Sequence, residues 1–367
     1  MRLNGLTLEN FRKFKNLSLS FDPAVHITCF VGENTIGKTN ILEGMYYLSL
    51  LKSFRASDIK DLVHWDEHYL SVSGTFTEST TTHMSAVSVL RPKKQRKYLL
   101  NGVDTPLTDY VGTIPVVFFS PDDISLLLMS PASRRKYMDV LLSQTDQEYL
   151  RSFVQYQKIL KQRNALLKQI SAGKSAREEL EYWDLLLTEQ GWTIFQKRKA
   201  LIEFFNTLLP THYEHIAHNE KEHFTIEYLP SLKHCHSLEE YILHLRSRYE
   251  RDIILEATSS GPHRDDFSFI LSDKHIETFA SRGDTRSMIL ALKLSEIDFI
   301  KDKKHILPLL LLDDVFSELD EVRQEELLSS IPEDVQTFIS STTAHIGSLE
   351  RRKKEITFLD VAKFPSS

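Results

Sequence analysis

One stretch of eight residues, Gly32-Glu33-Asn34-Thr35-Ile36-Gly37-Lys38-Thr39, constrains this chain more than any other. It follows an apolar run, Val25–Val31, and leads into helical periodicity from Lys38 through Leu51. The pattern G-x-x-x-x-G-K-[ST] between a buried strand and a helix is what a phosphate-binding loop requires. Backbone N–H groups of such a loop converge on phosphate oxygens, helped by the positive end of the helix dipole. Lys38 is then the cation for the β- and γ-phosphates, and the Thr39 hydroxyl is the Mg²⁺ ligand. Only 12 of 367 residues are glycine, about half the usual share of ~7%, so two in one loop carry weight. The competing reading, a glycine turn capping a helix beside a solvated lysine, does not explain the strand in front. The expectation is a nucleotide-binding protein, with ATP and Mg²⁺ as cofactors.

A second feature completes the first. Leu309–Leu312 reads as a buried strand, and Asp313-Asp314 follows it directly. Ligands of open α/β sheets sit at the carboxyl ends of strands. One carboxylate there can hold Mg²⁺, the role assigned to Asp313. The other can orient or deprotonate an attacking water, the role assigned to Asp314. The alternative is an ordinary helix N-cap pair after a strand. Lys38 and Asp313 lie 275 residues apart, which implies a whole lobe inserted between two halves of one nucleotide site.

The periodicity supports that division. Alternating apolar positions mark strands around Leu3–Leu8, Leu17–Phe21, Tyr69–Phe76, Met84–Leu90 and Lys97–Leu100, with Asn101-Gly102 suited to a hairpin. Ile114–Phe119 is a further buried strand. From Asp123 to about Leu209 the pattern is helical, broken at Gly173 into two long helices. Strand-like alternation returns at Phe224–Leu229 and Phe267–Leu271. Helix (Thr285–Ile300), strand (Leu307–Leu312), helix (Glu321–Ser330) and strand (Thr337–Ser341) then alternate, as in an α/β layer with a largely parallel sheet. The tail from Glu350 is given no role. The fold expected is α/β: a discontinuous head (1–120 and 255–367) with an inserted, mainly helical lobe (121–254).

Composition excludes several classes. The longest buried-looking run, Ile306–Leu312, is seven residues, far short of the roughly 20 a bilayer needs. Met1–Lys15 lacks a signal-peptide core. Two cysteines, Cys29 and Cys235, support neither a disulfide framework nor a Cys-rich zinc site. A cytoplasmic protein with no membrane partner is expected. The net charge of −6 says little about nucleic acid, which needs only a local basic surface.

Two short segments flank the acidic strand: Ser281-Arg282-Gly283-Asp284 opens a helix, and Ser317-Glu318-Leu319-Asp320 follows the carboxylates. In this order the set resembles the heads of ABC-type P-loop ATPases of the structural-maintenance-of-chromosomes class. The resemblance implies that Ser281 and Gly283 of one subunit close on nucleotide held by the other. Further blocks narrow it. They include Phe11-Arg12-Lys13-Phe14, Lys52-Ser53-Phe54-Arg55, Phe119-Ser120-Pro121-Asp122-Asp123, Arg134-Arg135-Lys136-Tyr137-Met138-Asp139, Lys161-Gln162-Arg163-Asn164 and Ser260-Gly261-Pro262-His263-Arg264-Asp265-Asp266. These fall in order from about Leu3 to Thr343 and resemble the RecF family of bacterial recombination mediators.

What the family implies is an ATP-gated homodimeric DNA clamp of recombinational repair, with slow, DNA-stimulated ATP hydrolysis and RecR- and RecO-type partners. Two departures stand out: Thr35 where the family often has glycine or alanine, and Asp284 where it usually has glutamine. A β-branched residue resists a positive φ, and a carboxylate beside a γ-phosphate is repulsive. A nucleotide-dependent binding module with little hydrolysis therefore stays open beside the slow ATPase. A transporter ATPase subunit fits less well, because of the large basic lobe.

That lobe holds Arg151, Lys158, Lys161, Arg163, Lys168, Lys174 and Arg177 with no Asp or Glu among residues 151–177. Arg91–Lys97 and Arg134–Lys136 add two more basic clusters. Such clusters can follow a DNA backbone by counterion release; singly, each is as readily a solvated face. The histidines at 212, 215, 218, 223, 234 and 236 lack the carboxylate of a H-E-x-x-H pattern, so a metal site is not expected there. His263 either sets a turn that places Arg264 and Asp265 near ligand, or does ordinary turn chemistry.

Overall fold

In a computed structural model the described residues are 2–77, 81–89, 95–121, 123, 130–218, 222–276, 281–317, 319–342, 349 and 356–364. The chain separates into two units, residues 1–125 with 282–367, and residues 126–281.

The first unit contains two sheets. Strands β1 (Arg2–Phe11), β2 (Phe14–Ser20), β4 (Tyr69–Thr77), β5 (Thr81–Val89), β6 (Gln95–Leu100) and β7 (Val103–Asp104) form an antiparallel sheet in the order β2-β1-β4-β5-β6-β7. The alternating burial of β4 reflects one face on the core and one away from it. Asn101 and Gly102, both at positive φ, make the tight turn between β6 and β7. The second sheet is parallel, in the order β14 (Ile356–Asp360), β3 (Ile27–Val31), β13 (Thr337–Ser341), β12 (Leu309–Asp313) and β8 (Val116–Phe119). Its strands β12 and β13 are buried throughout, because both faces are covered, with Thr337, Ser340 and Ser341 the polar residues of β13. Helix α1 (Lys38–Leu50) packs on β1 and β4 of the first sheet and on β12 and β13 of the second, burying Ile41, Leu42, Met45 and Leu48. Helices α2 (Leu107–Tyr110), α8 (Arg282–Lys304) and α9 (Glu321–Ser330) complete the unit. The C-terminal tail, given no role from sequence, supplies β14 as an edge strand beside β3.

The second unit contains α3 (Pro131–Thr145), α4 (Gln147–Ser171), α5 (Leu180–Ala217), α6 (Leu238–Ser247), α7 (Tyr249–Leu255) and an antiparallel sheet of β9 (Phe224–Leu229), β10 (Asp266–Leu271) and β11 (Lys274–His275). Helices α4 and α5 pack against each other and are joined through Gly173, at φ +69°. Helix α5 continues past Leu209, through Pro210. The proline removes one intrahelical donor, and the Asn206 side chain, one turn earlier, holds both backbone groups of Ile226 at 2.9 and 2.8 Å. The chain returns to the first unit at Arg282 rather than near residue 255, because β10 pairs along its length with β9.

Two buried arginines hold this unit together. Arg163, fully buried, donates to Asp184 (2.7 Å), Asp252 (2.8 Å) and Thr258 (2.8 Å). Arg198 donates to Asp139 (2.7 Å), the Pro262 carbonyl (2.6 Å) and Asp265 (3.1 Å). No helix among the described residues is long and apolar enough to cross a membrane.

Candidate nucleotide site

The site begins at the carboxyl end of β3. Gly32 follows the strand, and Gly37 sits at φ +112° immediately before α1. A Cβ on Gly37 would lie 2.7 Å from Lys13 Cδ and 2.8 Å from the Phe14 ring, so both conformation and space demand glycine there. Thr35 is at φ +69°, the left-handed conformation that a β-branched residue resists. The strain anticipated from sequence is present.

Lys38 is nearly buried, and its ammonium donates to the carbonyls of Gly32 (2.7 Å) and Glu33 (2.8 Å). Burial lowers its pKa, and the neighbouring charges of Asp314 and Asp313 oppose that shift. The Thr39 hydroxyl donates to Asp313 Oδ1 at 2.8 Å, joining residues 274 apart in the chain. Burial raises the Asp313 pKa, against hydrogen bonds from Ser340 and Thr39 that favour the carboxylate. Asp314 turns out of the strand at φ +51°, and its Oδ1 is buried without a hydrogen-bond partner among the described residues. Gly32, Lys38, Thr39, Asp313 and Asp314 therefore come together as one cluster. Glu33, Asn34 and Thr35 form its exposed rim, and Ile36 is half-buried. Ser281 and Gly283 lie instead at the start of α8, with Ser281 exposed just before it.

A hydroxyl and a carboxylate meeting at hydrogen-bond distance are hard oxygen donors, the set that suits Mg²⁺. The uncompensated Asp314 oxygen is suited to hold a water. The residues present thus fit a magnesium–nucleotide pair.

Sequence reasoning missed the wall of this site. Glu43, fully buried on α1, accepts from Arg12 Nε (2.8 Å) and Nη2 (2.7 Å) and from the Ser53 hydroxyl. The Ser53 oxygen in turn accepts from the N–H groups of Arg55 (2.9 Å) and Ala56 (2.7 Å). One carboxylate thereby ties together two motif blocks, 11–14 and 52–55. Lys13 reaches from the first block to the Ile36 carbonyl of the phosphate loop. Arg12, Lys13, Asn40, Arg55, His64 and Trp65 line an adjacent cavity of about 560 Å³, with Trp65 largely exposed. The signal was a glutamate on the inward face of a strongly apolar helix.

Other sequence expectations change. Arg163 belongs to the buried network, and so cannot face DNA. Arg134 pairs with Asp266 (2.7 Å), Arg135 donates to the Asp265 carbonyl (2.8 Å), and Arg177 pairs with Glu250. Arg151, Lys158, Lys161 and Lys168 remain exposed on α4, and Arg91–Lys94 lie outside the described residues. Asp265 is fully buried, accepting from Tyr228 (2.6 Å) and the Ser231 N–H (2.9 Å) as well as Arg198. It is a structural keystone and not a ligand residue. His263 bridges Tyr156 (2.6 Å) and the Thr258 carbonyl (2.9 Å), and burial pushes its pKa down to about 4. No metal-holding cluster of His, Cys, Asp or Glu occurs among the described residues.

A strand–loop–helix phosphate site facing an acidic strand end, with a lobe inserted between the two, defines an ABC-type ATPase head. The signature of the RecF/RecN/SMC N-terminal domain family matches residues 2–360. The DNA replication and repair protein RecF of Bacillus cytotoxicus is 36% identical over 97% of this chain and 96% of its own length. That of Bacillus thuringiensis strain Al Hakam is 36% identical over 94% and 92%. Two solved structures of the recombination mediator protein RecF of the RecFOR pathway, one of them with ATP, superpose with TM-scores of 0.85 and 0.83 at 30% and 31% identity. Each covers 93% of this chain, and 92% and 93% of the solved chains. An Smc head shares the fold at a TM-score of 0.52. The chain belongs to the RecF family of DNA replication and repair proteins.

Proposed function

We propose that this chain is an ATP-gated DNA clamp of recombinational repair that hydrolyses ATP slowly. The observation that carries the reading is the Thr39–Asp313 hydrogen bond beside an Asp314 oxygen that has no hydrogen-bond partner among the described residues. Thr39 and Asp313 would hold Mg²⁺, which when bound neutralises phosphate charge. The backbone of Gly32–Thr39 and the Lys38 ammonium bind the β- and γ-phosphates. The cavity bordered by Lys13, Arg55 and Trp65 has room for the nucleoside end. Asp314 orients the attacking water and takes its proton. Ser281 and Gly283, at the start of α8, supply N–H and hydroxyl donors to nucleotide held by a second copy. The exposed lysines of α4 supply a sequence-independent grip on the DNA backbone. RecR- and RecO-type mediators are the partners this reading requires.

The test is DNA retention at fixed salt with ATP and Mg²⁺. Lys38→Met should abolish tight ATP binding and ATP-dependent retention. Asp314→Asn should keep ATP binding, slow hydrolysis roughly tenfold or more, and prolong retention. Parental ATP binding by the Lys38 variant would refute the phosphate-loop assignment. A parental turnover rate in the Asp314 variant would favour the binding module with little hydrolysis.

A further inference from the structure

Beside the two carboxylates lies a buried hydroxyl with no assigned part. Ser340 is on β13, in register with Asp313 across the parallel ladder to β12, and it is fully inaccessible. Its Oγ donates to Asp313 Oδ1 at 2.6 Å, the short separation of a hydroxyl on an ionised acceptor. The same Oγ accepts the Asp314 N–H at 3.0 Å, and the Ser340 carbonyl shares that N–H at 3.1 Å. One side chain thus touches both residues of the acidic strand end.

We infer that Ser340 is a positioning residue that fixes which oxygen of Asp313 faces a metal ion and how Asp314 turns toward water. Asp313 Oδ1 accepts from two hydroxyls, Thr39 and Ser340, which fills its in-plane acceptor sites. Oδ2 is then the oxygen left to coordinate. Asp314 adopts a left-handed conformation that L-residues other than glycine enter at a cost. Ser340 holds its N–H from one side, and Ser317 holds its carbonyl from the other, through Oγ at 2.7 Å and N–H at 3.2 Å. Without the Ser340 hydroxyl, Asp313 can rotate about χ2, and the Asp314 N–H keeps only its longer bond to the Ser340 carbonyl. Binding of the nucleotide through Lys38 and the loop backbone does not pass through Ser340.

The inference rests on the function proposed above, so the test includes Asp314→Asn as a reference. Ser340→Ala, and Ser340→Cys, which keeps the volume but donates poorly, are compared with Ser340→Thr, which keeps the hydroxyl. Steady-state phosphate release gives kcat and KM for ATP. Mn²⁺ binding, followed by electron paramagnetic resonance with a non-hydrolysable ATP analogue, reads metal affinity without turnover. The Ala and Cys variants should lose five- to twentyfold in kcat and three- to tenfold in Mn²⁺ affinity, with KM within twofold. The Thr variant should recover both to within about threefold. Parental kcat and Mn²⁺ affinity in both Ala and Cys variants would overturn the inference. So would an equal loss of ATP affinity that Thr does not restore, which marks a merely structural residue. If Asp314→Asn turns over at the parental rate, the catalytic reading itself fails. A slow Asp314→Asn beside a parental Ser340→Ala refutes positioning alone.

Discussion

Arg163→Met separates the two roles open to a basic residue on α4. Arg163 is fully buried and makes three hydrogen bonds: to Asp184 at 2.7 Å, to Asp252 at 2.8 Å and to Thr258 at 2.8 Å. The other donors to these carboxylates are weaker in charge: the Tyr249 hydroxyl on Asp184, and the Ser259 N–H on Asp252 at 3.0 Å. Removing the guanidinium leaves two uncompensated carboxylates inside the unit of residues 126–281. Breaking a buried ion pair from one side costs about 3–5 kcal/mol. At about 2–4 °C per kcal/mol for a unit of this size, the midpoint of thermal unfolding should drop by roughly 6–20 °C. DNA affinity, measured by fluorescence anisotropy well below the new midpoint, should stay parental. Lys161→Met, at an exposed position of the same helix, should do the reverse: unchanged melting and weaker DNA binding. A stable Arg163→Met protein with weakened DNA binding would refute the reasoning.

Three further outcomes follow from the geometry. Thr35→Gly releases left-handed strain of about 1–2 kcal/mol and adds unfolded-state entropy of about 0.5–1 kcal/mol, so calorimetry should show a midpoint raised by up to about 6 °C; a lowered midpoint would contradict the strained loop. His263, held at a pKa of about 4 against an ordinary 6.5, stays neutral when folded but takes up a proton when unfolded. Its share of stability is therefore complete above about pH 6.5 and is lost as pH falls toward 4, by up to about 3 kcal/mol; His263→Gln should flatten denaturant midpoints across that window, and an unaltered slope would exclude this histidine. Reversing Lys158 and Lys161 to glutamate should weaken DNA binding and reduce its salt dependence by about one unit of slope for each phosphate no longer neutralised, checked by titration at several salt concentrations.

What was legible in the sequence was local. The β3–loop–α1 unit announces itself because strand, glycines, lysine and threonine are contiguous, and β12 because a strand buried on both faces is an unbroken apolar run. The pairing of these two segments required only that the carboxyl ends of parallel strands face one ligand. Arg163 could not be read, since its partners lie 21 and 89 residues away and a buried arginine looks in sequence like any other cation on a helix. The same holds for Glu43, whose meaning depends on Arg12 and Ser53. The extent of the inserted unit was hidden because β10 is tied to β9 by backbone pairing, which leaves no compositional mark at residue 255.

The two strained residues of the first unit differ in how their cost is met. Thr35, in the loop after β3, and Asp314, just past β12, are both in left-handed conformations. Asp314 is compensated, through Ser340 and Ser317. Thr35 stands on the exposed rim of the loop, where a side-chain methyl gains no packing to offset the strain. The strain is therefore a cost to the folded chain, the one that Thr35→Gly should relieve. Asp284 acts elsewhere, in the first turn of α8. The helix dipole favours its carboxylate by about 0.3–1 kcal/mol in a single chain, whereas a phosphate brought to that helix start by a second copy would be repelled. Under the function proposed above, the two departures from the family pattern would act separately: Thr35 on the stability of the phosphate loop, and Asp284 on the approach of a second copy's phosphate to the start of α8.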